Sequence, residues 1–190
     1  MKVNSNPYDS KLFYIHGYQS QPNGTKGLLF REKLNAIPIK YRDVAPEELI
    51  IHDCLEQISK AIRAHSNVIL IGSSLGGLLA ASTSLKHQNI SRMFLLNPAI
   101  IPPDTDIASI NSMPKRILKD MIIPELFSKK IEADLIIFRG TKDDVVPDKW
   151  VLDFAKAQEA TIHFLSDDHR FSNTLPRILE KISKHLGQIV

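Results

Sequence analysis

The chain of 190 residues has the length of one ordinary domain, is 43% hydrophobic and carries a formal net charge of +3. These values are typical of a globular protein with a sizeable core and argue against a disordered chain. Basic residues are spread along the chain, and the longest clusters are pairs such as Lys129-Lys130, so we expect no nucleic-acid partner. A single cysteine, Cys54, excludes an internal disulfide and suggests no cysteine-based zinc site.

Signals for export or membrane insertion are not evident in the sequence. The N-terminal stretch MKVNSNPYDSK lacks an apolar core of signal-peptide length. No apolar run approaches the roughly 18 residues that suggest a membrane span. We therefore expect a cytoplasmic protein with no membrane span, and the sequence does not indicate its oligomeric state.

Strands and helices alternate along the predicted chain. In order, the apolar runs and periodicities predict a strand over 11–15, a helix over 28–34, a strand over 37–44, a helix over 46–65, a strand over 67–72, a helix over 74–87, strands over 92–96 and 133–139, a helix over 147–158, a strand over 161–165 and a helix over 174–186. The strands are nearly continuous apolar runs. This pattern predicts an α/β fold in which helices cover both faces of a mostly parallel sheet.

One segment interrupts the alternation. Residues 98–132 contain several prolines and scattered apolar residues, and a connection of this length needs some structure of its own. We expect one or two helices there. They would form either a small cap near the functional site or ordinary scaffold helices.

A serine lies at a predicted sharp turn between a strand and a helix. Gly72-Ser73-Ser74-Leu75-Gly76 fits the pattern G-x-S-x-G in that context. Such a turn strains its central residue and exposes the side chain, while the glycines let strand and helix come close. The helix N-terminus also favours developing negative charge. Ser74 is therefore the candidate nucleophile, Ser73 is expected to face the sheet, and the alternative is an inert glycine-serine turn.

A serine nucleophile needs a base, and the base needs a group that orients it. In a parallel sheet, ligands bind beyond the carboxyl ends of the strands, so the loops after the last two strands are informative. Asp143 and Asp144 follow the first of these strands, and His169 follows the second. Asp167 and Asp168 adjoin His169 in sequence, which is poor geometry for orienting its ring. The order serine, aspartate, histidine is that of the α/β-hydrolase arrangement.

Four pieces of the sequence carry a resemblance to a known family. They are YIHGYQSQPNGTK at 14–26, IGSSLGG at 71–77, LNPAI at 96–100, and the pair RGTKDDVVP at 139–147 and DDHRF at 167–171. With these pieces the chain resembles an α/β-hydrolase, most closely the small bacterial esterases of the UPF0227 (YqiA-like) group. The resemblance covers 12–171 and implies a single α/β-hydrolase domain over 1–190, but it leaves the candidate cap segment 98–132 unassigned.

The resemblance implies a serine esterase with a Ser-His-Asp triad. Ser74 would attack an acyl carbonyl, His169 would act as general base and then as general acid, and Asp143 would orient the imidazole. The backbone N–H groups of Leu75 and Tyr18 would hold the oxyanion. In the family pattern the acid lies four positions before the proline of Val-Val-Pro, which favours Asp143 over its neighbour.

The implied substrate is a short or medium acyl ester or thioester, because a chain of this length has little room for a deep lipid tunnel. No cofactor is implied. An acyltransferase that uses the same triad, or a binding module that keeps the fold without catalysis, are the alternatives. His16 is expected to be structural and to hydrogen-bond nearby backbone. No metal site is expected, because the histidines lack metal-ligand spacing.

Overall fold

The computed structural model describes residues 10–187, in which six parallel strands form one sheet between two layers of helices. The strands are β1 (Lys11–Ile15), β2 (Ile37–Pro38), β3 (Val68–Ser73), β4 (Ile90–Leu96), β5 (Asp134–Gly140) and β6 (Thr161–Leu165). They lie in the order β2-β1-β3-β4-β5-β6, and each neighbouring pair is parallel. The predicted α/β fold class is confirmed.

In the described residues, six α-helices connect the strands and a seventh follows β6. They are α1 (Thr25–Leu34), α2 (Ile51–Ile62), α3 (Leu75–Ser84), α4 (Lys115–Asp120), α5 (Glu125–Ser128), α6 (Asp148–Gln158) and α7 (Leu175–Leu186). Between residues 10 and 187, none of the helices is both long and apolar enough to cross a membrane.

Each face of the sheet has its own apolar core. Successive strand residues point to opposite faces, so Leu70 packs in the cluster formed with α2, α3 and α6, while Ile71 packs in the cluster formed with α1 and α7. All six residues of β3 are buried. This double burial explains why the strands are continuous apolar runs in the sequence.

The second strand is shorter than predicted. Over 37–44 only Ile37–Pro38 is paired as a strand, although the Ile39 N–H still donates to the Tyr14 carbonyl at 2.9 Å. The prediction of a strand to 44 was wrong because β1 ends at Ile15, so the later residues have no partner backbone alongside them.

Two helix starts also differ from the prediction. The helix predicted from 46 to 65 is α2, and Pro46–Glu48 form a separate 3-10 turn. Leu49 and Ile50 between them have extended backbone, which ends one helix and precedes the next. The helix predicted from 28 begins earlier, at Thr25, because polar and glycine residues in its first turn hide the start from a periodicity argument.

The 98–132 segment contains a 3-10 turn (Ile107–Ser109) followed by the short helices α4 and α5. Buried Ile117, Leu118 and Leu126 join the apolar cluster of α2, α3 and α6. Ile110, Met113 and Met121 line the cleft described below. The segment therefore contributes side chains both to the apolar core and to the lining of the cleft.

Candidate active site

Ser74 lies between β3 and α3 with the strained backbone angles φ 55° and ψ −119°. Such a conformation costs a non-glycine residue about 1–3 kcal/mol and persists only when its surroundings hold it. The Ser74 N–H donates to the Leu96 carbonyl at 2.9 Å. Its carbonyl accepts from the N–H groups of Gly77 at 2.9 Å and Ala99 at 3.1 Å. These bonds connect the turn to β4 and to the segment after it.

Two glycines permit the close approach that this turn requires. A Cβ atom on Gly72 would lie 2.5 Å from the Gly76 carbonyl oxygen. A Cβ atom on Gly76 would overlap the Ile15 carbonyl. Strand β3, helix α3 and the end of β1 therefore meet at distances that only glycine allows, which is the physical basis of the G-x-S-x-G pattern.

Asp143 contacts His169 across the ends of β5 and β6. The Nδ1–H of His169 donates to Asp143 Oδ2 at 2.8 Å. Asp143 Oδ1 accepts from the N–H groups of Val145 at 2.8 Å and Val146 at 3.0 Å. The Asp143 side chain is fully buried, whereas Asp144 is exposed. Of the two candidate acids, Asp143 is the one that the fold brings to the histidine.

These contacts favour the ionised form of Asp143. Burial raises the pKa of Asp143, but the hydrogen bonds from His169, Val146 and Val145 outweigh it, so the pKa lies below its usual range. Since Nδ1 donates to this carboxylate, Nε2 is the free acceptor of a neutral His169 ring. Among the described residues, His169 forms hydrogen bonds with Asp143 and Asn97 but none with Ser74.

Arg139, the penultimate residue of β5, holds the acid loop in place, and the sequence analysis did not predict this. Its Nη1 donates to Asp143 Oδ2 at 2.6 Å, and its Nη2 donates to the Val146 carbonyl at 2.8 Å. Nη2 also lies 2.7 Å from Asp148 Oδ1. The side chain of Arg139 is only 2% exposed. A charged residue at the end of the apolar run LIIFR was the available signal, because a buried arginine requires acceptors.

Asn97 connects the ends of β4 and β5 to the histidine loop. It is fully buried and has a positive φ of 43°. Its Oδ1 accepts from the Gly140 N–H at 2.8 Å, and its Nδ2 donates to the carbonyls of Asp168 at 3.3 Å and His169 at 3.2 Å. This asparagine therefore positions the histidine loop, although in the sequence it counted only as part of the LNPAI piece.

Asp167 and Asp168 shape the histidine loop rather than orient the ring. Asp167 Oδ2 accepts from the N–H groups of Asn173 at 2.9 Å and Thr174 at 2.6 Å. Asp168 Oδ2 accepts from the Ser172 hydroxyl at 2.6 Å. Both carboxylates are thus bound to their own loop.

The loop after β1 lies against the nucleophile. A Cβ atom on Gly17 would lie 3.3 Å from Ser74 Cβ, and Tyr18 is the next residue. Leu75 is the first residue of α3, so its N–H has no acceptor within the helix. Arg42 Nη2 donates to the Tyr18 carbonyl at 2.7 Å and braces this loop. The two predicted oxyanion donors are therefore on segments adjacent to Ser74.

His16 is buried and structural, as predicted. Its Nδ1–H donates to the Gly17 carbonyl at 2.9 Å, and its ring stacks on Tyr41 with 4.3 Å between centroids. The Tyr41 hydroxyl donates to the His16 carbonyl at 3.1 Å. Burial lowers the pKa of His16 to about 4, so the ring is neutral near pH 7.

Ser74 and His169 share a cleft of about 1200 Å³. An apolar wall comes from the 98–132 segment and α6, with Ile110, Met113, Leu118, Met121 and Trp150. A polar wall comes from the loop after β1, the start of α1 and the histidine loop, with Gln19, Gln21, Asn23, Lys26 and Arg170. Within 10–187, no three His, Cys, Asp or Glu side chains are grouped to hold a metal ion. The groups present can support nucleophilic attack on a carbonyl.

Solved structures that resemble this chain are α/β hydrolases. Est1E from Butyrivibrio proteoclasticus, with bound ferulic acid, matches with a TM-score of 0.75 and 18% identity over 98% of this chain and 91% of its own. The monoacylglycerol lipase of Paleococcus ferrophilus has a TM-score of 0.72 and 15% identity over 93% of each chain. Alpha/beta hydrolase domain-containing protein 10 from mouse matches with a TM-score of 0.67 and 18% identity over 93% of this chain and 89% of its own. At these sequence identities the similarity indicates a shared fold only.

Sequence comparison gives the family. No curated protein matches the chain. The model of the family described as "Uncharacterised protein family (UPF0227)" matches residues 11–187, which include the four pieces that carried the resemblance. By this match the chain belongs to the UPF0227 family, and its fold is that of the α/β hydrolases.

Proposed function

We propose that the chain is a serine hydrolase that cleaves a carboxylic ester or thioester through an acyl-enzyme on Ser74. The observation that carries this proposal is the hydrogen bond of 2.8 Å between His169 Nδ1 and the buried Asp143 carboxylate, in a cleft that the strained Ser74 also lines. The likeness of fold to Est1E and to the monoacylglycerol lipase supports the same class of reaction.

In the acylation step, Ser74 Oγ attacks the acyl carbonyl while His169 Nε2 takes the hydroxyl proton. Asp143 stays ionised, which its lowered pKa favours, and stabilises the imidazolium that forms. The hydrogen bond between serine and histidine forms when substrate binds, because such catalytic contacts often tighten only in the complex.

The negative charge of the tetrahedral intermediate is held by the N–H groups of Leu75 and Tyr18. Losing one such donor raises the activation barrier by about 2.7–4 kcal/mol, so the geometry of the loop after β1 matters for the rate. His169 then gives its proton to the departing alkoxide or thiolate. Water then attacks the acyl-enzyme with His169 again acting as base and then as acid, which releases the carboxylic acid and regenerates Ser74.

The acyl part is proposed to be short or medium in length. A cleft of about 1200 Å³ is nevertheless roomy, since ordinary ligand sites span roughly 300–1000 Å³. The length of the acyl chain is therefore a quantity to measure, and the substrate series should extend to long chains.

Hydrolysis of p-nitrophenyl esters of increasing acyl length tests the proposal. Ser74→Ala is expected to lower kcat at least about 10³-fold, since a triad acts as a unit. Ser73→Ala, one residue earlier and not assigned a chemical role, is the matched control and should keep most of the activity. A fluorophosphonate probe should label the wild type and not Ser74→Ala.

Equal rates for the wild type and Ser74→Ala, together with no labelling, would reject the proposal and favour the binding module. Labelling with turnover only when an alcohol or amine acceptor is added would favour the acyltransferase. Product analysis in water alone and with added acceptor separates these outcomes.

A further inference from the structure

The two walls of the cleft lie on opposite faces of the sheet. Leu118 and Met121 of the apolar wall belong to the core cluster of α2, α3 and α6. The polar wall is formed partly by the start of α1 and by the residues before α7, on the other face. Ser74 follows the central strand β3, between the two walls. An ester whose carbonyl reaches Ser74 can therefore extend along both walls.

The position of His169 assigns the two parts of the ester to the two walls. In the proposed reaction this histidine protonates the leaving group, so the leaving group lies beside it. The next residue, Arg170, and Lys26 in the first turn of α1 both line the polar wall. The leaving group then meets the polar wall, and the acyl chain meets the apolar one.

Two cations on the polar wall lack an ion-pair partner. Among residues 10–187, neither the Lys26 ammonium nor the Arg170 guanidinium has a carboxylate within 4.0 Å or a hydrogen-bond acceptor. Lys26 is half-buried and Arg170 is exposed. Burial lowers the pKa of Lys26, the carboxylates of Asp168 and Asp167 oppose that shift, and the positive charge of Arg170 adds to it.

The carboxylates nearby are already engaged or lie elsewhere. Asp168 Oδ1 accepts from the N–H groups of Arg170 at 2.9 Å and Ser172 at 3.1 Å, and its Oδ2 accepts from the Ser172 hydroxyl at 2.6 Å. Asp167 is buried and bound to its own loop. Asp144 lines the cleft from the loop that leads into α6. The ammonium and guanidinium are thus available for an anion from outside the chain.

We propose that Lys26 and Arg170 bind an anionic group, a carboxylate or a phosphate, on the leaving-group side of the substrate. This inference rests on the proposed function and names its substrate class: esters or thioesters with an apolar acyl part and an anionic alcohol or thiol part. Hydrolysis consumes one water and yields the free acid and the anionic alcohol or thiol. A guanidinium matches the oxygens of either anion in a bidentate way, and the ammonium adds a point charge.

Three esters with the same acyl group test the inference, two with an anionic leaving group and one with a neutral leaving group. The anionic substrate is para-butyryloxybenzoate, the neutral one is its methyl ester, and para-butyryloxyphenyl phosphate supplies the second anion. The quantity measured is the ratio of kcat/KM for the anionic ester to kcat/KM for the neutral ester. Intrinsic differences in reactivity cancel when this ratio is compared between wild type and variants.

Lys26→Gln and Arg170→Gln are each expected to lower the ratio about three- to tenfold, mainly through KM, as loss of a partly exposed charge contact would. Lys26→Arg should restore most of the ratio. Exposed Lys33→Gln, also on α1, removes the same charge away from the cleft and should change the ratio less than about twofold. The anion whose ratio falls more in Lys26→Gln and Arg170→Gln is the one that these two side chains bind better.

The inference is overturned if the ratio is the same in wild type, Lys26→Gln and Arg170→Gln. It is also overturned if a variant that melts like the wild type loses activity on all three esters by one factor. In either case a wild type that still cleaves the neutral ester leaves the proposed function intact. A wild type that cleaves none of the esters and resists the fluorophosphonate probe rejects both.

Discussion

Arg139 stabilises the candidate site through ion pairs of two kinds. Its Nη1 meets Asp143, whose side chain is fully buried, and its Nη2 meets Asp148, whose side chain is 69% exposed. Breaking a buried pair leaves an uncompensated charge away from water and costs about 3–5 kcal/mol. A pair with an exposed partner contributes only about 0–1 kcal/mol, because water competes for the carboxylate.

We therefore expect very different results from removing the two ends of this network. Arg139→Met should lower the free energy of unfolding by about 3–5 kcal/mol and should also lower kcat, since Asp143 loses a donor that positions it. Asp148→Asn should lower the free energy of unfolding by less than about 1 kcal/mol. Urea titration at pH 7 measures both. Equal losses in the two variants would show that the buried pair is not what holds the acid loop.

At the scale of elements, the loop between β6 and α7 is organised by one carboxylate. Asp167 is buried and accepts from the backbone of Asn173 and Thr174 and from the Thr174 hydroxyl at 2.8 Å. Burial raises its pKa, but these hydrogen bonds and one from the Asp168 N–H outweigh the burial and hold the pKa below its usual value of 3.8. The ionised carboxylate of Asp167 is therefore more stable in the folded state than in the unfolded one.

This difference makes the stability of the loop depend on pH. A lowered pKa in the folded state contributes stability above the usual pKa, and that contribution is lost as pH falls towards the folded value. Asp167→Asn should reduce the free energy of unfolding by about 1–3 kcal/mol at pH 7. The difference in the free energy of unfolding between wild type and Asp167→Asn should narrow progressively below about pH 4.

Exposed Ser166→Ala, in the same loop, is the control and should change the free energy of unfolding by less than about 0.5 kcal/mol. Urea titrations between pH 3 and pH 7 provide the measurement. A gap between wild type and Asp167→Asn that stays constant over this range would contradict the role given to the ionised carboxylate.

At the scale of the whole molecule, the cleft joins surfaces that belong to different layers. Met113 is half-buried and lines the apolar wall from the 98–132 segment, which is far in sequence from both Ser74 and His169. If the acyl chain lies on this wall, Met113→Trp should shorten the longest chain that fits. We expect kcat/KM for an octanoyl ester to fall about tenfold relative to an acetyl ester.

Ile122→Trp is the matched control for that substitution. Ile122 lies in the same segment and is half-buried, but it does not line the cleft. Its ratio of octanoyl to acetyl kcat/KM should stay close to that of the wild type. An unchanged ratio in Met113→Trp would place the acyl chain elsewhere in the cleft.

Properties that depend on neighbours in the chain were determined by the sequence alone. The alternation of strands and helices follows from apolar runs and periodicity, because the central strands are buried on two faces and amphipathic helices such as α2 and α7 on one. The turn at Ser74 follows in part from Gly72, since its lack of a Cβ atom is required by the Gly76 carbonyl four residues later. The motif set was sufficient to indicate the UPF0227 family.

Properties that depend on residues far apart were decided only by the tertiary structure. Which aspartate meets His169, 26 positions along the chain from Asp143, depends on how the ends of β5 and β6 lie side by side. The bridge made by Asn97 has no local pattern, because its acceptors, the carbonyls of Asp168 and His169, lie 71 and 72 positions along the chain. The short β2 likewise reflects where its partner strand ends. Burial and pairing across the sheet are set by the whole fold, so a single stretch of sequence does not contain them.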